Sequence, residues 1–139
     1  LQLHGKETPE RVVAVKARYR LPVMKALAVS EAADLAAAKA YVSKADRLLL
    51  DARPPAGSVL PGGNGIPFDW SILAALDRDV DYMLSGGLSA ANVGDALRLA
   101  NPPGIDVSSG VESAPGVKDT ALIDAFFRAV RQAQKSLAA

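Results

Sequence analysis

Residues 47–52 read Arg-Leu-Leu-Leu-Asp-Ala (RLLLDA), and the fold turns on how this stretch is read. A short apolar run bounded by turn-forming residues marks a buried strand. A carboxylate at the C-terminal end of such a strand stands where open α/β sheets and α/β barrels bind their ligands. Asp51 is therefore the first candidate for a catalytic acid. The competing structural reading is a strand-end Asp that caps a turn or pairs with Arg53 or a nearby lysine.

Outward from RLLLDA, strands and helices alternate in both directions. Upstream, Ser30 is expected to cap an alanine-rich helix from 31 to about 43, preceded by a strand at 22–29 (PVMKALAV). Before that, Thr8 caps and Pro9 opens a helix to about Arg20, and residues 1–5 (LQLHG) form the first strand. Downstream, residues 53–67 carry Pro54, Pro55, Gly57, Pro61, Gly62, Gly63, Gly65 and Pro67, which exclude regular structure. That loop is long for its class, and a functional and a merely tolerated loop weigh equally. Asp69 caps a helix to about Leu76, 81–85 (DYMLS) is a strand, and Ser89 caps a helix to about Ala100. A strand at 104–108 (GIDVS), a loop at 109–117 and a helix from 118 to 136 follow. The last helix carries Leu122, Ile123, Phe126, Phe127 and Val130 as its apolar stripe. The βα unit thus occurs five times in 139 residues. Such alternation calls for an α/β fold, a parallel sheet covered by helices, in one domain spanning 1–139.

Composition narrows the class. Half of the residues are hydrophobic and the formal net charge is +1, which excludes a disordered chain and a strongly basic nucleic-acid binder. No apolar run approaches the ~20 residues of a membrane-spanning helix. No cationic start leads into an apolar segment of the kind a signal peptide needs. The absence of cysteine removes disulfides, thiolate metal sites and a cysteine nucleophile, and a single histidine rules out a His-rich metal site. A cytoplasmic protein acting on a small molecule, without nucleic-acid or membrane partners, is expected.

Strand alternation sorts the candidates by face. With Asp51 toward the ligand side, Leu49 shares its face, while Leu48 and Leu50 point to helices. The same parity groups Gln2 with His4, Met83 with Ser85, and Asp106 with Ser108. Lys25 falls with Val23 and Leu27, which a snorkelling or salt-bridged lysine explains. Two further stretches carry glycine where a strand ends, Leu84-Ser85-Gly86-Gly87-Leu88 and Val107-Ser108-Ser109-Gly110-Val111. Missing Cβ atoms let backbone N–H groups approach an anion, and a helix start adds positive charge. In (β/α)8 barrels the loops after the last two strands commonly hold phosphate. His4 and Asp106 each have a plain structural alternative, a hydrogen bond to a neighbouring carbonyl or a cap.

Together, QLHG at 2–5, MKAL at 24–27, LLLDA at 48–52, GGNG and FDW within 62–70, LSGGL and NV within 84–93, and DVSSGVE-x-x-PG-x-KD at 106–119 resemble phosphoribosylanthranilate isomerase. This is a (β/α)8 TIM-barrel enzyme of tryptophan biosynthesis. The resemblance runs in order along nearly the whole chain, and its last motif is the most specific. It implies an isomerase that carries out an Amadori rearrangement of N-(5-phosphoribosyl)anthranilate. A general acid protonates the ribose ring oxygen, and a general base then removes the C2 proton. The family's acid falls on Asp51. The phosphate of the phosphoribosyl substrate falls on backbone N–H groups near Gly86, Gly87, Ser109 and Gly110, with His4 and Asp106 lining the same mouth. Neither a metal nor an organic cofactor is implied.

The family's general base is a cysteine in a KICG-type motif on its first strand, and these residues contain no cysteine. Since the phosphate loops follow strands seven and eight, the five βα units correspond to strands 4–8 of a partial barrel. Three N-terminal units, ~70 residues, are then expected to be missing. Five strands cannot close a barrel, so both edges would be bare, and self-association through them is expected. Little or no turnover is expected of these residues alone. The alternatives are another phosphosugar barrel enzyme such as an indole-glycerol-phosphate synthase, and a non-catalytic half-barrel acting by association.

Overall fold

In the computed structural model, which describes residues 1–52, 69–77 and 79–138, RLLLDA is the central strand of a parallel sheet. The order of elements is β1 (Gln2–Leu3), α1 (Pro9–Tyr19), β2 (Met24–Val29), α2 (Ala32–Lys39), β3 (Arg47–Ala52), β4 (Tyr82–Ser85), α3 (Val93–Ala100), β5 (Gly104–Ile105), β6 (Glu112–Ala114), β7 (Val117–Lys118) and α4 (Thr120–Ala138). Short 3₁₀ turns at Trp70–Ala75 and Ser109–Val111 precede β4 and β6. The main sheet has five strands in sequential order, β1-β2-β3-β4-β5, all parallel.

The expected parity holds. Leu48 and Leu50 are 1% and 0% exposed and join Val29, Leu84, Val93 and Ala96 in the core between sheet and helices. Leu49, 5% exposed, lies outside that cluster on the opposite face. Lys25 shares the helix-facing side with Val23 and Leu27, as its register opposite Leu48 requires.

Several element ends differ from the sequence reading, each for a local reason. The strands expected at 1–5 and 104–108 are regular only over Gln2–Leu3 and Gly104–Ile105, with single backbone bonds beyond them, Met24 N to Leu1 O and Asp106 N to Leu84 O. Ser30 does not cap α2. The Asp34 carboxylate, at the third helical position, accepts from Ser30 N (2.8 Å), Ser30 Oγ (3.0 Å) and Glu31 N (3.1 Å), so the helix begins at Ala32. Ser89 does not cap α3 either: its carbonyl receives Asn92 N and Val93 N in a turn, and α3 starts at Val93. The helix expected after Asp69 is the 3₁₀ turn Trp70–Ala75, with Asp69 accepting from Ser71 N at 3.0 Å. The loop expected at 109–117 contains the antiparallel β6–β7 hairpin, turning at Gly116 with φ 79°. The loop at 53–67, GGNG and Arg53 lie outside the described residues.

Other expectations stand. Thr8 caps α1, accepting from Arg11 N at 3.3 Å, with Pro9 in the first turn. α4 begins one residue after Asp119, whose carboxylate accepts from Ala121 N at 2.8 Å. Its buried stripe is narrower than expected. Phe126 and Ala133 are buried and Ile123 and Val130 half-buried, but Leu122 and Phe127 are 39% and 54% exposed. α4 packs against α3 and the Ser109–Val111 turn, which leaves its flanks outside.

The N-terminal end of the sheet is tied by charge. Asp46 accepts from Lys16 Nζ (2.6 Å) and from Val23 N (2.8 Å), joining α1, β2 and β3. The Lys16 ammonium, and then the Val23 N–H, hold the Asp46 carboxyl below its ordinary range. Truncating the central core is expected to be costly: Leu50→Ala should lose about 2–5 kcal/mol of unfolding free energy in a urea titration, and a loss below about 1 kcal/mol would contradict this packing.

Candidate functional site

Register aligns the site. In a parallel pair, directly opposed residues point to the same face. Ala28, Asp51 and Ser85 stand opposite one another across β2, β3 and β4, as do Leu49, Met83 and Gly104 across β3, β4 and β5. Asp106 continues that face two residues beyond Gly104, held by its N–H to Leu84 O at 2.8 Å. The result is a cleft of about 790 Å³ at the C-terminal ends of the strands, with His4, Asp51, Ser85 and Asp106 on its wall. Alanines at 26 and 28 line it from β2. Asp51 itself is half-buried. Ser85 Oγ donates to Asp106 Oδ2 at 3.0 Å, which fixes the carboxylate just beyond β5 against the end of β4.

The first glycine turn closes one side of the cleft. Gly86 and Gly87 have φ of 93° and 64°, the left-handed region that side chains resist. A Cβ on Gly86 would also collide with the Ala52 carbonyl oxygen. This turn is therefore glycine both for its backbone angle and for its approach to the end of β3. Asn92 holds it from behind, donating to Gly87 O (2.9 Å) and accepting from Ser89 N (2.8 Å).

The second turn brings Ser108 and Ser109 to the cleft. Gly110 is not on its wall: a Cβ there would collide with the Leu88 carbonyl oxygen, so this glycine lets the second turn close on the first. The helix start expected beside the first turn is displaced to Val93, and α4 begins at Thr120, close to the start expected near 118.

Sequence reasoning missed two residues that brace the second turn. Lys118 Nζ donates to Ser108 O (2.9 Å), Ser108 Oγ (3.1 Å) and Glu112 Oε1 (2.6 Å). Glu112 Oε2 accepts from Gly116 N at 3.1 Å. The signal was present in the sequence as Glu and Lys flanking a Pro-Gly pair, a hairpin pattern. The Lys118 ammonium, followed by the Gly116 N–H, holds the Glu112 carboxyl below its ordinary range.

Lys25 is the salt-bridged lysine that the sequence allowed. It is 1% exposed and pairs with Glu7 Oε2 at 3.0 Å, on the side of the sheet away from the cleft. Among the described residues, no group of three or more His, Cys, Asp or Glu could hold a metal ion. No helix among them is long and apolar enough to cross a membrane.

Residues 1–129 match the family model of N-(5'-phosphoribosyl)anthranilate (PRA) isomerase. The chain belongs to the PRA isomerase family. It is 72% identical over 139 residues to the N-(5'-phosphoribosyl)anthranilate isomerase of Mesorhizobium japonicum, covering all of this chain and 64% of that protein. The phosphoribosyl anthranilate isomerase structure from Thermotoga maritima superposes with a TM-score of 0.78 at 40% identity, over 94% of this chain and 60% of that one. A second isomerase structure, in complex with reduced 1-(o-carboxyphenylamino)-1-deoxyribulose 5-phosphate, gives a TM-score of 0.74 at 37% identity, over 94% of this chain and 58% of that one. The chain thus spans under two thirds of the length of the family members it matches.

The ion pair behind the second turn predicts an acid-sensitive stability. An unfolded glutamate titrates near ~4.3, and folded Glu112 titrates lower. Between the two values the unfolded chain binds more protons, so stability rises with pH. The contribution is present above the unfolded value and is lost as pH falls through the folded one. Glu112→Gln should therefore lower the melting temperature at pH 7, and the difference from wild type should narrow as pH falls below the unfolded value and through the folded one. An unchanged difference at pH 3 would contradict the assignment.

Proposed function

We propose that the protein carrying these residues is an N-(5-phosphoribosyl)anthranilate isomerase of tryptophan biosynthesis, working in the cytoplasm on a small phosphoribosyl substrate. The observation that carries the reading is one cleft, in a chain of this family, that has the Asp51 carboxyl on its wall and the Gly86–Gly87 turn at its edge. The relative solved with a deoxyribulose 5-phosphate ligand supports a sugar phosphate as the class of ligand.

In this reading Asp51 is the general acid. It gives its proton to the ribose ring oxygen as the C1–O bond breaks, and the anthranilate nitrogen lone pair forms a Schiff base with C1. A general base then takes the C2 proton, and the electron pair moves through C1 to the nitrogen, giving an enolamine. Tautomerisation gives the 1-deoxyribulose product. Alanines 26 and 28 share the cleft wall with Asp51. Backbone N–H groups of Gly86, Gly87 and Ser109 hold the phosphate, while Gly110, off the wall, lets the second turn close on the first. His4 and Asp106 line the sugar's path. The chemistry needs no metal and no organic cofactor.

The base is not among these residues, since no cysteine is present. We infer that the five strands stand as strands four to eight of an eight-stranded barrel. Five of eight units is about 62% of a barrel, close to the 64% of the Mesorhizobium protein that is covered. β1 and β5 are edges, each with one neighbour, and Leu1 and Leu21 beside β1 are 50% and 49% exposed. These edges suit pairing with the three remaining units or, in their absence, with a second copy of the chain.

In the complete enzyme, Asp51→Asn is expected to lower kcat by ~10²–10⁴ while a product analogue still binds. Near-normal turnover would sink the acid assignment. The barrel reading is tested by mixing. These 139 residues, assayed alone, should show no isomerase activity, and adding a separately made piece with the first three βα units should produce it. Activity without that piece would contradict the missing base.

A further inference from the structure

The least expected residue in the sheet is Lys25, a lysine 1% exposed in a layer otherwise built from Val23, Leu48 and Leu50. An apolar side chain would fill that space without the cost of burying a charge. Its ammonium is fully engaged. It donates to Leu3 O (3.4 Å), Gly5 O (2.9 Å), Ala26 O (3.0 Å) and Glu7 Oε2 (3.0 Å). Three of these four acceptors belong to residues 3–7, the end of β1 and the segment after it. The other Glu7 oxygen, Oε1, accepts from Gly5 N at 3.2 Å, and Tyr41 OH donates to Glu7 O at 2.9 Å. The Glu7 carboxylate lies close against the Gly5 backbone: a Cβ there would stand 2.7 Å from Glu7 Oε1.

All these bonds surround one residue. The peptide group before His4 presents its carbonyl, Leu3 O, to Lys25. The peptide group after His4 presents its N–H, on Gly5, to Glu7. His4 itself lines the cleft, on the opposite side of the sheet from the lysine. We propose that Lys25, with Glu7 as its counter-charge, is a positioning residue that clamps both peptide groups flanking His4 and so sets the imidazole on the cleft wall. Its relevance to turnover rests on the cleft being the isomerase site.

The test reads His4 directly. In the complete enzyme its imidazole proton signals are identified as those missing from a His4→Ala variant. In Glu7→Gln and in Lys25→Met those signals should shift or broaden, while Lys16→Met, which breaks the distant pair with Asp46, should leave them in place. In the complete enzyme, Lys25→Met should lower kcat/KM about tenfold, and the same change in a His4→Ala background should add less than about twofold. An imidazole signal unmoved in folded Lys25→Met, or losses that multiply, would overturn the proposal. If Lys25→Met does not fold, Glu7→Gln decides the matter by the same signals. A wild-type enzyme without isomerase activity would defeat the functional reading and leave the imidazole result to decide this one.

Discussion

The cleft depends on one constraint, the register of β3 between β2 and β4. Asp51 is opposed to Ala28 on one side and Ser85 on the other. A slip of a single residue would turn Asp51 into the helix layer and bring Leu50 to the cleft. The register is fixed by burial on both faces of β3. Leu48 and Leu50 fill the helix side, and Leu49 closes the floor below Asp51. Three consecutive leucines therefore do two jobs, and the carboxylate that ends them is carried to the cleft by their packing.

The two ends of the sheet are built differently. At the N-terminal end, Asp46 joins Lys16 to the start of β2, and Arg47 pairs with Asp81 at 2.9 Å. These contacts knit elements together and touch nothing on the cleft wall. At the C-terminal end the polar contacts hold short turns: Asn92 behind Gly87, Lys118 behind Ser108, Lys25 and Glu7 behind His4. Among the described residues, these three turns are each held from the back by a polar side chain. Such support is what keeps a binding surface on loops in a single geometry.

The order and type of the five main strands were legible in the sequence because buried parallel strands leave compact apolar runs between turn residues. Face assignment was legible for the same reason: parity places Asp51, Ser85 and Asp106 together once one of them is fixed. Helix starts were less legible. Ser30 and Ser89 looked like caps, but Asp34 and Asn92, deeper in the sequence, took the free N–H groups instead. The β6–β7 hairpin was hidden because its strands are only three and two residues long. Gly110 was read as an open approach to an anion; its contact is with a loop more than twenty positions earlier, a tertiary fact that local spacing does not carry. The clamp around His4 was invisible for a similar reason, since Lys25, Glu7 and Tyr41 meet only once α1 and α2 have folded over β1 and β2.

Function rests most directly on the glycine turns at the C-terminal ends of β4 and β5, which are proposed to receive the phosphate of a sugar phosphate bound in front of Asp51. Backbone amide shifts of the ¹⁵N-labelled complete enzyme, titrated with a deoxyribulose 5-phosphate product analogue, measure this directly. The largest shifts are expected on Gly86, Gly87 and Ser109, and inorganic phosphate should reproduce them more weakly. Shifts that leave these three amides unmoved while the analogue binds elsewhere would contradict the assignment.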